Sequence, residues 1–193
     1  MKLIFATNNP NKLAEVNRML DGNHQLLSLE DAGIPKQDIP ETGDTLEANA
    51  LQKARFIHQL TGCDCFADDT GLEVDALNGD PGVYSARYAG EQKNDADNVE
   101  KLLHELDGES NRKAHFRTVI ALIASEKEYL FEGVIEGKIN TEVTGEKGFG
   151  YDPVFIPEGE NRTFAEMEMH EKNEVSHRKR AIEKMAKFLK NIN

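Results

Sequence analysis

An apolar run, Leu3 to Ala6, gives way at once to the polar turn Thr7-Asn8-Asn9-Pro10-Asn11-Lys12 and then to Leu13, Val16 and Leu20 at helical spacing. So abrupt a change of period is what a strand feeding a helix leaves in a sequence, and it recurs along this chain. His24 to Leu29 reads as a second strand, and Asp31 to Asp44, with its glycines and prolines, as a loop. Thr45 opens a helix whose apolar face is Leu46, Ala50, Leu51, Ala54, Ile57 and Leu60, and Gly62 ends it. Cys63 to Ala67 predicts a short buried strand with Asp68-Asp69-Thr70-Gly71 at its exposed end. Val99, Leu102, Leu103 and Leu106 mark another helix. Lys113 to Ser125 and Tyr129 to Ile139 predict an antiparallel hairpin turned at Glu126 to Glu128, with Phe116, Thr118, Ile120 and Leu122 on one face. A glycine-rich stretch, Gly145 to Pro153, leads to Val154-Phe155-Ile156, and Ser176 to Lys190 is helical. Strands alternating with helices, plus a hairpin, predict an α/β protein with a mixed sheet. No linker, repeat or low-complexity tract interrupts residues 1–193, which read as one domain.

Charge narrows the partners. Lys and Arg number 23 against 35 Asp and Glu, a net charge of −12, which repels phosphate backbones and argues against a nucleic-acid partner. A small anion carried with a divalent metal remains compatible. Leu3 to Ala6 is too short for a signal sequence or a membrane span, so the expectation is a cytoplasmic protein with no membrane partner. Cys63 and Cys65, two apart in a strand, share a face and read as packing residues.

Several clusters have the composition of a site. The turn Thr7 to Lys12 lies where free backbone N–H groups and the helix dipole favour an anion; it also reads as a solvated turn capped by Asn11. Adjacent carboxylates at Asp68-Asp69 repel unless a cation is near, and hard oxygen donors suggest Mg²⁺, although a solvated acidic turn has the same sequence. Glu41 and Glu47 are further acids of either kind. Lys53 is six residues beyond Glu47 on the same helix, so the two point apart. Gly148-Phe149-Gly150-Tyr151-Asp152-Pro153 offers a stacking platform for a base or a core aromatic at a tight bend. His177 and Arg178 follow Ser176 into a first helical turn, where cations oppose the dipole, a placement that hints at a ligand.

Taken in order, these segments resemble the inosine and xanthosine triphosphate pyrophosphatase family, which hydrolyses deaminated purine nucleoside triphosphates. The resemblance is carried by residues 5–12, by Glu47-Ala48-Asn49-Ala50 with Lys53-Ala54, and by Ala67-Asp68-Asp69-Thr70-Gly71-Leu72-Glu73-Val74. It continues through Pro81-Gly82-Val83-Tyr84-Ser85-Ala86-Arg87-Tyr88, residues 148–153, Glu171-Lys172-Asn173 and Ser176-His177-Arg178. It implies an elongated mixed β-sheet flanked by helices, two lobes around a central cleft, a homodimer, and Mg²⁺-dependent release of pyrophosphate and nucleoside monophosphate. It further implies that Thr7, Asn8, Asn9, Pro10, Asn11, Lys12 and Lys53 hold the triphosphate, and that Glu41 and Asp69 hold Mg²⁺. Asp69 would also take the proton from water, with Thr70 beside the substrate. Phe149, Gly150, Tyr151 and Asp152 would form the nucleoside wall, and Lys172, His177 and Arg178 would reach the base. Asn8 stands where glycine is commoner, and Thr70 where serine is. A pyrophosphatase of modified pyrimidine triphosphates and a nucleotide sensor that binds without hydrolysis are the rival readings.

Overall fold

The sheet is built outward from β1 (Lys2–Phe5), which pairs in parallel with β2 (Gln25–Leu27) on one side and with β3 (Cys65–Val74) on the other. The computed structural model describes residues 2–20, 25–35 and 37–192; the predicted strand residue His24 lies outside the described residues. Beyond β3 come β5 (Lys113–Ala124), β6 (Lys127–Ile139) and β7 (Phe155–Pro157), in the order β2-β1-β3-β5-β6-β7, with the short β4 (Pro81–Gly82) also on β3. β4 on β3 and β7 on β6 are antiparallel, so the sheet is mixed. The helices are α1 (Pro10–Met19), α2 (Leu46–Thr61), α3 (Asp95–Glu105), α4 (Met169–Val175) and α5 (His177–Ile192). Among the described residues no helix is long and apolar enough to cross a membrane.

The chain divides into two units, each assembled from separated segments. The first comprises Met1–Asp69, Thr118–Gly133 and Arg178–Asn193; the second comprises Thr70–Arg117 and Val134–His177. In the first, Leu3, Phe5, Phe66, Ile120 and Leu122 point to one face of the sheet and bury against Val16 of α1 and Ala181, Ile182, Met185 and Leu189 of α5. Phe5 and Phe66, register partners on neighbouring strands, stack with centroids 4.6 Å apart. The alternate residue Cys65 faces the other way, its thiol donating to Ala54 O of α2. In the second unit, Leu72, Val74, Phe116, Ile135 and Ile139 from the strands enclose a core with Val99 and Leu102 of α3 and the Phe155–Phe164 aromatic pair.

Local chemistry sets the boundaries. Thr45 Oγ1 accepts from Ala48 N to start α2, and Gly62 closes it in the left-handed conformation, as the sequence predicts. Leu60, expected on the apolar face, is exposed instead, because it lies in the last turn. Cys63 is exposed in the turn before β3, so it does not share the packing role of Cys65. The hairpin turns at Ser125-Glu126, both with positive φ, beginning one residue and ending two residues earlier than predicted; without an Asn-Gly pair the sequence does not advertise it.

The interior of β3 also carries a close backbone approach. A Cβ on Gly71 would lie 2.6 Å from Gly82 O of β4. Gly71→Ala is expected to destabilise the protein by about 1–3 kcal/mol, read as a lower urea midpoint with an unchanged slope.

Candidate active site

β3 does not stop before its acids. It runs through Asp68-Asp69-Thr70-Gly71 to Val74, and both carboxylates are buried, Asp68 at 2% and Asp69 at 8% exposure. This corrects the expectation of an exposed strand end. Successive strand residues point to opposite faces, so the two acids do not confront one another: each meets cations on its own side.

On the α1/α5 face, Asp68 Oδ1 accepts from Lys12 Nζ at 3.1 Å and Oδ2 from Arg178 Nε at 3.2 Å. Arg178, 2% exposed, also donates through Nη1 to Glu15, itself buried on α1. Burial alone would raise the pKa of Asp68, but Lys12, Arg178 and Lys53 outweigh it and hold the carboxyl far below the usual range. The same burial depresses the pKa of Lys12, which Asp68 offsets only in part.

On the α2 face, Asp69 Oδ1 lies 3.3 Å from Lys53 Nζ, and Oδ2 accepts from Asn49 Nδ2 at 3.2 Å. Lys53 also donates to Glu41 Oε1. The loop carrying Glu41 is fastened to α2, for Thr42 N donates to Gln52 Oε1 and Gly43 N to Asn49 Oδ1. Asn49, Gln52 and Lys53 lie at i, i+3 and i+4, one side of the helix. Desolvation raises the pKa of Asp69 above that of an ordinary aspartate in spite of Lys53 and Lys12. For Lys53 burial works against the charge, yet Asp69 and Glu41 leave its pKa raised.

The turn before α1 departs from expectation. Asn9, not Asn11, is the cap: its Oδ1 accepts from the backbone N–H groups of Asn11 and Lys12, while Pro10 occupies the first helical position. The amides of Asn11 and Lys12, foreseen as part of an anion cradle, are thus engaged by the chain itself, and Lys12 is the turn's cationic element. Thr7 Oγ1 accepts from Asn9 N, and Asn8 donates to Gln37 O. Asn8 is not among the positive-φ residues, so the turn does not need a glycine there.

In the second unit, Phe149 and Gly150 are partly exposed, while Tyr151 is buried with its hydroxyl donating to Ser85 O at 2.8 Å. Asp152 Oδ2 accepts from Phe149 N and from Lys172 Nζ, both short of 3 Å. Lys172 Nζ lies 4.7 Å from the Phe149 ring centroid, a cation–π contact. His177 stacks on Phe116 at 4.8 Å, and Thr70 is half-buried in β3.

A model of the Ham1 family matches residues 3–188. The chain belongs to the Ham1 family. A dITP/XTP pyrophosphatase of Flavobacterium johnsoniae is 54% identical over 189 residues, covering 98% of each chain, and one of Porphyromonas gingivalis is 56% identical with 97% of each covered. The structure of the Staphylococcus aureus Ham1 protein superposes with a TM-score of 0.90 at 36% identity, covering both chains in full.

In this Ham1-family chain the residues expected to act together divide by unit. Lys12, Glu41, Lys53, Asp69 and Arg178 are linked through the β3 acids in the first unit, and Phe149, Asp152 and Lys172 are linked in the second. Sequence reasoning missed Glu15 and gave Asn49 no role. The one local signal was available for Asn49, which stands i, i+4 from Lys53 beside the small buried residues Ala50 and Ala54. Glu47 remains a first-turn acid of α2, favourable to the dipole.

Asp68→Asn breaks a buried ion network and is expected to cost about 3–5 kcal/mol at neutral pH. The folded pKa of Asp68 lies below the unfolded one, so its contribution is present above the unfolded value of about 3.9 and is lost as pH falls through the folded value. Urea denaturation at stepped pH should therefore show a constant gap between wild type and Asp68→Asn down to about pH 5, narrowing below about pH 4.

Proposed function

We propose that this chain is an Mg²⁺-dependent nucleoside triphosphate pyrophosphatase that hydrolyses the deaminated purine nucleotides ITP, dITP and XTP to nucleoside monophosphate and pyrophosphate, cleansing the nucleotide pool. End-to-end likeness to proteins named dITP/XTP pyrophosphatases supports the substrate class. The observation that carries the chemistry is Asp69: a buried carboxylate of raised pKa, oriented through one oxygen by Lys53 and through the other by Asn49.

Glu41 and Asp69 would hold the metal. Their oxygens converge on one ammonium, and Mg²⁺ takes only one or two protein carboxylates, so the donor set fits although no group of three metal-ligating side chains exists among the described residues. When bound, Mg²⁺ neutralises charge on phosphate oxygens. Asp69 accepts the proton of a water through a carboxylate oxygen; that water bonds to the α-phosphorus as the bond to the bridging oxygen breaks and pyrophosphate departs. Thr7 to Lys12 and Lys53 contact the triphosphate, with Lys12 and Lys53 as the charges, because the amides of Asn11 and Lys12 are already capped. Thr70 stands beside the substrate. Phe149, Gly150 and Asp152 line the nucleoside, and Tyr151 braces them from the core.

Lys172, His177 and Arg178 contact the base. Arg178 is fixed by Glu15 and Asp68, and a guanidinium so held donates to a 6-oxo group but faces the 6-amino donor of adenine. The 193 residues act as one domain in a cytoplasmic homodimer.

Purified protein with Mg²⁺ is expected to release pyrophosphate, not orthophosphate, from ITP, dITP and XTP, and little from GTP, ATP or dUTP. Orthophosphate would move the attack to the terminal phosphorus. Asp69→Asn should lower kcat by about 10²–10⁴ while circular dichroism stays native; near-normal turnover would remove Asp69 from the proton transfer.

A further inference from the structure

The two carboxylates assigned above to Mg²⁺ already share a cation that belongs to the chain. The Lys53 ammonium donates to Glu41 Oε1 and lies 3.3 Å from Asp69 Oδ1, and the residue is only 6% exposed. The arrangement is built rather than incidental. Gln52 and Asn49, neighbours of Lys53 on α2, fasten the loop that presents Glu41, and Asn49 separately holds Asp69 Oδ2. We propose that Lys53 is a resident counter-cation that keeps a divalent ion out of the Glu41/Asp69 pair while nucleotide is absent, so that metal enters with the triphosphate and not before it. This rests on the Mg²⁺ reading of the preceding subsection.

Electrostatics gives the reason. Converging carboxylates repel, and Lys53 relieves that repulsion without any solute. A divalent ion seated on the same oxygens would stand a few ångströms from a fixed positive charge in a partly desolvated site, where such repulsion is large. For the metal to enter, the ammonium must leave, and a buried ammonium leaves readily only toward another anion. A triphosphate is such an anion. The flexible four-carbon stem of lysine allows the exchange without movement of α2. Asn49 keeps its bond to Asp69 Oδ2 throughout, so the carboxylate does not lose its orientation when Lys53 departs.

The test uses Mn²⁺ as the probe, titrated into nucleotide-free protein and followed by the electron paramagnetic resonance signal of free Mn²⁺. Wild type and Lys53→Arg are expected to bind weakly, and Lys53→Met to bind one Mn²⁺ on the order of a hundredfold more tightly, as removal of one nearby unit charge implies. Adding Glu41→Gln to Lys53→Met should abolish the gain. Equal affinity in wild type and Lys53→Met, or a gain that survives Glu41→Gln, overturns the proposal. The wild type decides the matter even if Lys53→Met does not fold: tight nucleotide-free binding that Glu41→Gln removes overturns it, and weak binding supports it. Pyrophosphate release from ITP is measured in parallel, and its absence counts against the proposed activity alone, since the Mn²⁺ titrations contain no nucleotide.

Discussion

Two consecutive carboxylates buried in the middle of a strand constrain everything around them. Removing one ion from water costs several kcal/mol even after relaxation, and the cost is offset only by well-placed opposite charge. Strand alternation divides the problem, because Asp68 and Asp69 face opposite sides of the sheet. On one side α1 brings Lys12 and α5 brings Arg178; on the other α2 brings Lys53 and Asn49. The helices of the first unit are therefore set against the sheet by charge as well as by the apolar contacts of Val16, Ile182 and Met185. The two carboxylates end in different states, since cations dominate around Asp68 and desolvation dominates around Asp69. One is held as a fixed anion of the structure; the other takes up a proton more readily than an ordinary aspartate.

The second unit solves a similar problem with different materials. Asp152 and Lys172 are both buried and bonded to one another, and the ammonium is shared with the face of Phe149. An aromatic ring held by a cation and by a backbone bond from Phe149 N to Asp152 has a defined orientation, which a ring at a glycine-flanked bend would otherwise lack. Tyr151, between them in sequence, is spent on packing and on Ser85.

Much of this was legible in the sequence. Period and caps located α2, α3, α5 and both hairpin strands, because each is long and locally consistent. The end of β3 was misjudged because a pair of acids interrupts an apolar run in the way a solvent-exposed turn does. What keeps them inside the sheet comes from Lys12 and Arg178, 56 and 110 residues away, and no local pattern reports that. Glu15 was invisible for the same reason: three residues after Lys12 it looks like one half of a surface helix pair, whereas its partner is Arg178. The capping of the first helix was available, since proline at the first helical position points to Asn9. Resemblance supplied the roles expected of Glu41 and Lys53, but not their bond to one another.

The order in which a ribosome delivers this chain gives the Arg178 network a further meaning. Glu15 and Asp68 emerge before the guanidinium they share, which arrives 163 and 110 residues later, at the start of α5. Until then the α1 face of the sheet has Lys12 but not Arg178 to bond Asp68. The charge network of that face is thus complete only once the segment carrying Arg178 has been made, and the packing of α1 and α5 on this side of the sheet cannot reach its final form before then.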